Sequence, residues 1–224
     1  MSDVAWSNFK QGIGYQGLLL GFTVAAAATL LVVADRLTRE PIALRHAEDM
    51  NASLAEVIPA SLHDNDLLAN SVTLTDASGE PVTVYRALSG HQVTALAYQV
   101  KAFGYAGEID VMLGLAADGK ILGVRVLSHK ETPGLGDKIE VGKADWVRAF
   151  EGRSLGDPPA ERWGVKKDGG DFDQFSGATI TPRGVVRGIK GGLEFFAANR
   201  DALTATVVIQ RREDRAGAIQ PSHP

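Results

Sequence analysis

The chain has 224 residues, 45% of them hydrophobic and 22% charged, with a formal net charge of -4. That length accommodates one globular domain of ordinary size plus an anchor, and a near-even charge balance with no basic stripe argues against a nucleic-acid partner. Cysteine is absent, which excludes disulfides, cysteine-ligated iron–sulfur clusters, c-type haem attachment and thiol catalysis.

From Gly12 to Ala34 runs GIGYQGLLLGFTVAAAATLLVVA, without a charge. An uncharged helix of this length spans a hydrocarbon core of roughly 30 Å. Trp6 and Tyr15 stand at or before one end, where interfacial aromatics belong. Gly12, Gly14, Gly17 and Gly21 form a small-residue face suited to packing on another membrane helix, although glycine is also simply common in such helices. The alternative, a cleaved signal peptide, is disfavoured by the length of the apolar run and by Lys10 as the lone charge of its basic end. Lys10 lies on one side of the segment, while Arg36, Arg39 and Arg45 lie on the other. This weakly favours an interior C-terminal domain without deciding the sidedness.

IALRHAEDMNASLAEVIP, following Pro41, reads as a linking helix with Ile42, Leu44, Met50, Leu54 and Val57 near helical spacing and Pro59 past its end. The period then becomes two. Strands are predicted at Val72–Asp76, from Val82, from Thr94, and in the pair IDVMLGLAA and KILGVRVLSHK around Asp118-Gly119. Asp76-Ala77-Ser78-Gly79 should make the first turn. Helices follow the strands instead of alternating with them: a short one at Asp145–Phe150 and a long one from Pro182 to about Thr204, with Val185, Ile189, Leu193 and Phe196 on one stripe. A last strand is predicted at Thr206–Gln210. The fold class is α+β: one N-terminal transmembrane helix, then a mostly antiparallel sheet with packed helices. The predicted division is 1–37 N-terminal segment and anchor, 38–70 helical linker, 71–210 ligand-binding domain, and 211–224 a polar, disordered tail.

Two glycine-containing segments interrupt the pattern. Glu131-Thr132-Pro133-Gly134-Leu135-Gly136-Asp137 follows a strong strand; its glycines would let backbone approach a flat ligand, although many plain loops are written this way. Asp173-Gln174-Phe175-Ser176-Gly177-Ala178-Thr179 leads into Ile180-Thr181-Pro182. Thr181 is predicted as N-cap and Pro182 as the first helical residue, which puts Thr179 just ahead of a helix start that favours a phosphate. An ordinary capped helix start fits the same letters. Elsewhere, His46, His63, His91, His129 and His223 show no metal-ligand spacing, so no metal site is predicted. G-x-G-x-x-G at Gly12–Gly17 opens the apolar segment and follows no strand, so it is read as chance. Lys166 and Lys167 read as a solvated turn. Arg183 and Arg187 could reach a phosphate or face solvent.

Asp-x-x-Ser-Gly-Ala-Thr at Asp173–Thr179 resembles the acceptor motif that a flavin transferase modifies with FMN, and HKETPGLGDKIE at His129–Glu140 resembles the companion motif of the same FMN-binding domain. With the N-terminal anchor, and Trp146 and Phe150 following, the chain resembles the G-type subunit of the Rnf (Rsx) ion-translocating electron transport complex. The resemblance covers essentially the whole chain, most specifically Leu127 to Ile189. It implies FMN esterified through its phosphate to Thr179, with Ser176, Gly177 and Ala178 shaping the acceptor loop. Asp173 would serve transferase recognition, and Glu131, Thr132, Pro133, Gly134 and Leu135 would lie against the isoalloxazine ring. It further implies an electron carrier with no catalytic residues of its own, held in the bacterial inner membrane with its domain in the periplasm, against the weak charge count. Its partners would be the other Rnf membrane subunits and, during maturation, the flavin transferase. Electrons would pass between ferredoxin and NAD, coupled to proton or sodium movement through other subunits. The C-type subunit of the sodium-pumping NADH:quinone oxidoreductase shares the domain and is the alternative. A non-redox membrane-tethered assembly module is the reading from a different class.

Overall fold

The computed structural model describes residues 13–76 and 78–206. Contacts divide the chain into two compact units, the boundary falling between Met50 and Asn51. The first unit contains most of α1, Ile13–Val57. Within α1, Gly14–Arg39 is long and apolar enough to cross a membrane. Its threonine hydroxyls are satisfied locally: Thr23 donates to the Leu20 carbonyl at 2.9 Å, Thr29 to Ala25 at 2.8 Å and Thr38 to Ala34 at 2.9 Å. Back-bonding of this kind removes the penalty of an unpaired hydroxyl where water is absent. Gly14, Gly17 and Gly21 have open space beside them, so the predicted small-residue face is unfilled among the described residues. Gly12 lies outside the described residues.

The second unit is built on five strands: β1 Ser71–Thr75, β2 Pro81–Ser89, β3 Gln92–Phe103, β4 Glu108–Ala116 and β5 Ile121–Ser128. They form one antiparallel sheet in the order β1-β2-β3-β4-β5. The predicted turns are present. Asp76 Oδ1 accepts the N–H groups of Ser78 and Glu80, and Asp118 Oδ1 accepts that of Lys120, with Gly119 at a φ of 92°. A positive φ at that position is why the hairpin carries glycine. Five short 3-10 turns precede α2, Ile180–Thr204.

Side-chain alternation gives the sheet two covered faces. On one, Tyr98, Val100 and Leu113 meet α2, which buries Val185, Ile189, Leu193 and Phe196 as the stripe predicts. Each such side chain contributes about 1.5–3 kcal/mol of burial. Gly184, Gly188 and Gly192, one turn apart, let α2 lie close: a Cβ at Gly192 would stand 2.8 Å from Leu113 Cδ2, and one at Gly184 would overlap the Phe103 carbonyl oxygen. Tyr98, buried, donates its hydroxyl to the Gly192 carbonyl at 2.7 Å, and burial pushes its phenol pKa well up. On the opposite face, Gly114 and Gly123 pair in register and form a shallow floor under Val57 at the end of α1.

Three local expectations change. The predicted linker helix is not separate, because helical structure continues through Pro41 to Val57. Of its apolar positions, Leu54 and Val57 are buried, whereas Leu44 is exposed. Thr181 is not the N-cap: α2 starts at Ile180, Thr179 occupies the cap position, and the Thr181 hydroxyl is drawn to a tertiary partner. The strand expected at Thr206–Gln210 and the tail at 211–224 lie outside the described residues, apart from Thr206.

Candidate functional site

The segment leaving β5 is organised around two side chains. His129 Nδ1 accepts the Glu131 backbone N–H at 3.0 Å, so the ring proton sits on Nε2, which meets Glu140 Oε1 at 2.8 Å. Glu131 is buried, and both its carboxylate oxygens are used. Oε1 accepts the Ala106 N–H at 2.9 Å from the β3–β4 turn, and Oε2 accepts the Thr181 hydroxyl. Gly104 and Gly136 flank this carboxylate so closely that a Cβ on either would overlap it. One buried side chain thus ties the β3–β4 turn, the 131–136 loop and the start of α2 together.

Beyond it, Thr132, Pro133, Gly134 and Leu135 are exposed. Leu135 and Gly136 donate backbone N–H groups to the Thr132 carbonyl at 3.1 and 3.2 Å, and Gly134 adopts a φ of 80°. Lys143 supports the loop from beneath, contacting Asp137 Oδ2 at 2.9 Å and Glu140 Oε1 at 3.0 Å. The Gly134 amide, then Lys143, hold the Asp137 carboxyl below its ordinary range; His129, then Lys143, do so for Glu140.

The second predicted segment rests on an aromatic cluster. Phe172 and Phe175 are buried; Phe172 stacks on Phe150 at 4.5 Å, and Trp146 packs edge-on against both Phe150 and Phe175. Trp146 Nε1–H donates to the Asp173 carbonyl at 2.8 Å, and the Asp173 carboxylate pairs with Lys166 at 2.6 Å. Lys166 is thereby engaged with the motif. Ala178 donates its N–H to the Phe175 carbonyl, with Gly177 at a φ of 82°. That is the geometry of a turn whose third residue favours glycine. Ser176 and Gly177 are exposed, and Ala178 and Thr179 half-buried. Thr179 has helical φ and ψ of -67° and -26°, and its side chain makes no cap hydrogen bond. Its hydroxyl stands uncommitted at the start of a 25-residue helix, where unpaired N–H groups and the positive dipole end collect.

The two segments, about 40 residues apart in sequence, meet: a Cβ on Gly177 would lie 3.8 Å from Leu135 Cδ2, and Thr181 bonds Glu131. Arg183 is held by Asp168 through two bonds of 2.6 and 2.9 Å, and Arg187 is exposed. Sequence reasoning missed the β3–β4 turn as a third contributor. Its only signal was Phe103-Gly104-Tyr105 at the end of a strand.

Comparison with known proteins decides the family. The chain is 55% identical over 203 residues to the G-type subunit of the ion-translocating oxidoreductase complex of Cereibacter sphaeroides, covering 91% of this chain and 93% of that protein. It is 47% identical to the G-type subunit of Stutzerimonas stutzeri, over 87% of this chain and 86% of that one. The chain belongs to the family of Rnf G-type subunits. Residues 104–194 match the FMN-binding domain family, a span that runs from the β3–β4 turn into α2 and holds both predicted segments. NqrC of Shewanella oneidensis aligns over 65% of this chain and 73% of that one, at 23% identity and a TM-score of 0.44. The relatives from Cereibacter and Stutzerimonas both carry the G-type name of the ion-translocating complex rather than the NqrC name. The family is one of electron transport, and the chain contains its FMN-binding domain. An uncommitted hydroxyl at a helix N-terminus, beside an exposed apolar loop, fits a ligand with a phosphate at one end and a flat ring at the other.

Proposed function

We propose that this chain is a membrane-anchored electron carrier whose FMN is esterified through its phosphate to Thr179 Oγ1. The observation that carries this reading is the Thr179 hydroxyl: it sits at the N-cap position yet caps nothing. The ester retains one negative charge, which the helix N-terminus stabilises by about 0.3–1 kcal/mol. Ser176 and Gly177 keep the acceptor loop open to a transferase, and Ala178 sets the half-buried Thr179 behind them. Asp173, with backbone and side chain held by Trp146 and Lys166, offers that enzyme a preset recognition point. Thr132, Pro133, Gly134 and Leu135 give the ring an apolar wall, and Glu131 braces it from below.

The bound flavin accepts or releases one or two electrons. The chain's own residues hold it, exclude water from one side and stabilise the remaining phosphate charge at the helix start. The tether prevents loss of the cofactor on the periplasmic side of the inner membrane, where we place the domain. The electron-transfer partners would be the other membrane subunits of the Rnf complex. The test is the intact mass of the full-length protein produced with a flavin transferase. One added FMN, mapped to the peptide containing Thr179 and absent in Thr179→Ala, is expected; an unmodified Thr179 peptide would reject the covalent carrier.

A further inference from the structure

Among the described residues of the second unit, the large hydrophobic side chains left exposed are Phe103 at 66%, Tyr105 at 74%, Ile180 at 47%, Leu135 at 45% and Val141 at 38%. Exposed apolar residues scattered singly need no explanation; these are not scattered. Gly104, between Phe103 and Tyr105, abuts the Glu131 carboxylate, and Ala106 donates its N–H to it. Leu135 closes the turn that follows Glu131, and Ile180 adjoins Thr181, which bonds Glu131. Val141 follows Glu140, the partner of His129. Phe103, Tyr105, Leu135 and Ile180 therefore belong to segments joined at one buried carboxylate, with Val141 tied to the same loop through His129, and a concentration of this kind marks a binding surface.

Phe103 and Tyr105 belong to neither motif. We infer that this pair forms a third wall of the flavin site, the β3–β4 turn meeting the isoalloxazine ring of a flavin tethered at Thr179. The inference rests on the proposed attachment. Three observations favour the ring over other occupants. The patch is continuous with the acceptor loop, since a Cβ on Gly177 would lie within van der Waals reach of Leu135 and Ile180 follows Thr179. The turn is held against α2 near its start, where Gly184 meets the Phe103 carbonyl. The FMN-binding domain match begins at residue 104, within this turn. A ring tethered beside an apolar patch meets it at high effective concentration, and aromatic side chains offer it stacking area at little conformational cost. Among the described residues, neither of these two exposed aromatics has a ring contact or a side-chain hydrogen bond of its own.

The experiment uses the full-length protein produced with a flavin transferase, comparing the wild type with Tyr105→Phe, Tyr105→Leu and Phe103→Ala. These side chains are exposed, so the variants fold. Intact mass reports attachment, and flavin emission with the midpoint potential reports the ring's surroundings. A phenol in contact with a photoexcited flavin donates an electron to it, recovers that electron as the pair relaxes, and so quenches emission. With attachment unchanged, emission should rise several-fold in Tyr105→Leu and Tyr105→Phe, and Phe103→Ala should shift the potential. Full attachment with emission and potential as in the wild type would overturn the third wall alone and leave the patch to a protein partner. A wild type carrying no FMN on Thr179 would overturn the attachment, and this inference with it.

Discussion

Thr181 donates its hydroxyl to the buried Glu131 carboxylate across fifty residues of sequence. That bond joins the start of α2 to the loop after β5. Thr181→Val leaves a buried carboxylate oxygen short of its donor, which costs about 1–3 kcal/mol. Thr181→Ser should recover most of the loss. Denaturant titration of the full-length protein checks both, and transferase-dependent FMN loading should fall in the valine variant and return in the serine one.

Two glycines of α2 should respond in opposite directions to the same change. Gly191 is exposed with open space around it, so Gly191→Ala gains about 0.5–1 kcal/mol from helix propensity. At Gly184 the added methyl would overlap the Phe103 carbonyl, and Gly184→Ala should cost about 1–3 kcal/mol through displacement of α2 from β3. Thermal unfolding of the two variants, measured side by side, gives the signs.

The charges beneath the 131–136 loop set an acid limit. Asp137 and Glu140 have folded pKa values below their ordinary 3.8 and 4.5. Their stabilisation is therefore complete above those ordinary values and is lost as pH falls through the lower, folded ones. Lys143→Met removes the shared cation, so the folded values rise and the acid decline in Tm begins at a higher pH. A Tm series from about pH 7 to about pH 3 reads this directly.

Trp146→Phe keeps the ring edge against Phe150 and Phe175 but removes the donor to the Asp173 carbonyl. The expected loss of stability is small, about 0.5–1.5 kcal/mol. Modification of Thr179 should slow by more than that loss explains, because the acceptor segment loses its anchor. Initial rates of FMN incorporation against melting temperature separate the two effects.

The sheet was legible because alternation over Val82–Leu88 and Thr94–Phe103 and the Asp118-Gly119 turn are local signals, and each carries its own geometry. The apolar stripe on α2 was legible for the same reason. What could not be read was tertiary. Thr181 carries every local mark of an N-cap, yet Glu131, fifty residues earlier, takes its hydroxyl and the helix begins one residue sooner. The two motif segments meet in space, but nothing local announced Glu131's part in joining them, since its partners Ala106 and Thr181 lie 25 and 50 residues away. Phe103 closes the strand predicted from Thr94 and Tyr105 follows it, and no local signal marks either as exposed, because exposure is decided by what fails to cover a side chain. The role of Gly114 and Gly123 depended on where the end of α1 comes to rest.

Because the strands lie in the sheet in the same sequence as along the chain, each new strand finds its neighbour already made. Such short-range assembly lets the sheet form early, while the chain is still being synthesised. Thr179 would acquire its surroundings only afterwards, once the last described helix has closed over that surface. Cofactor loading would then come at the end of maturation, and a flavin-bearing molecule would certify that its own folding is finished.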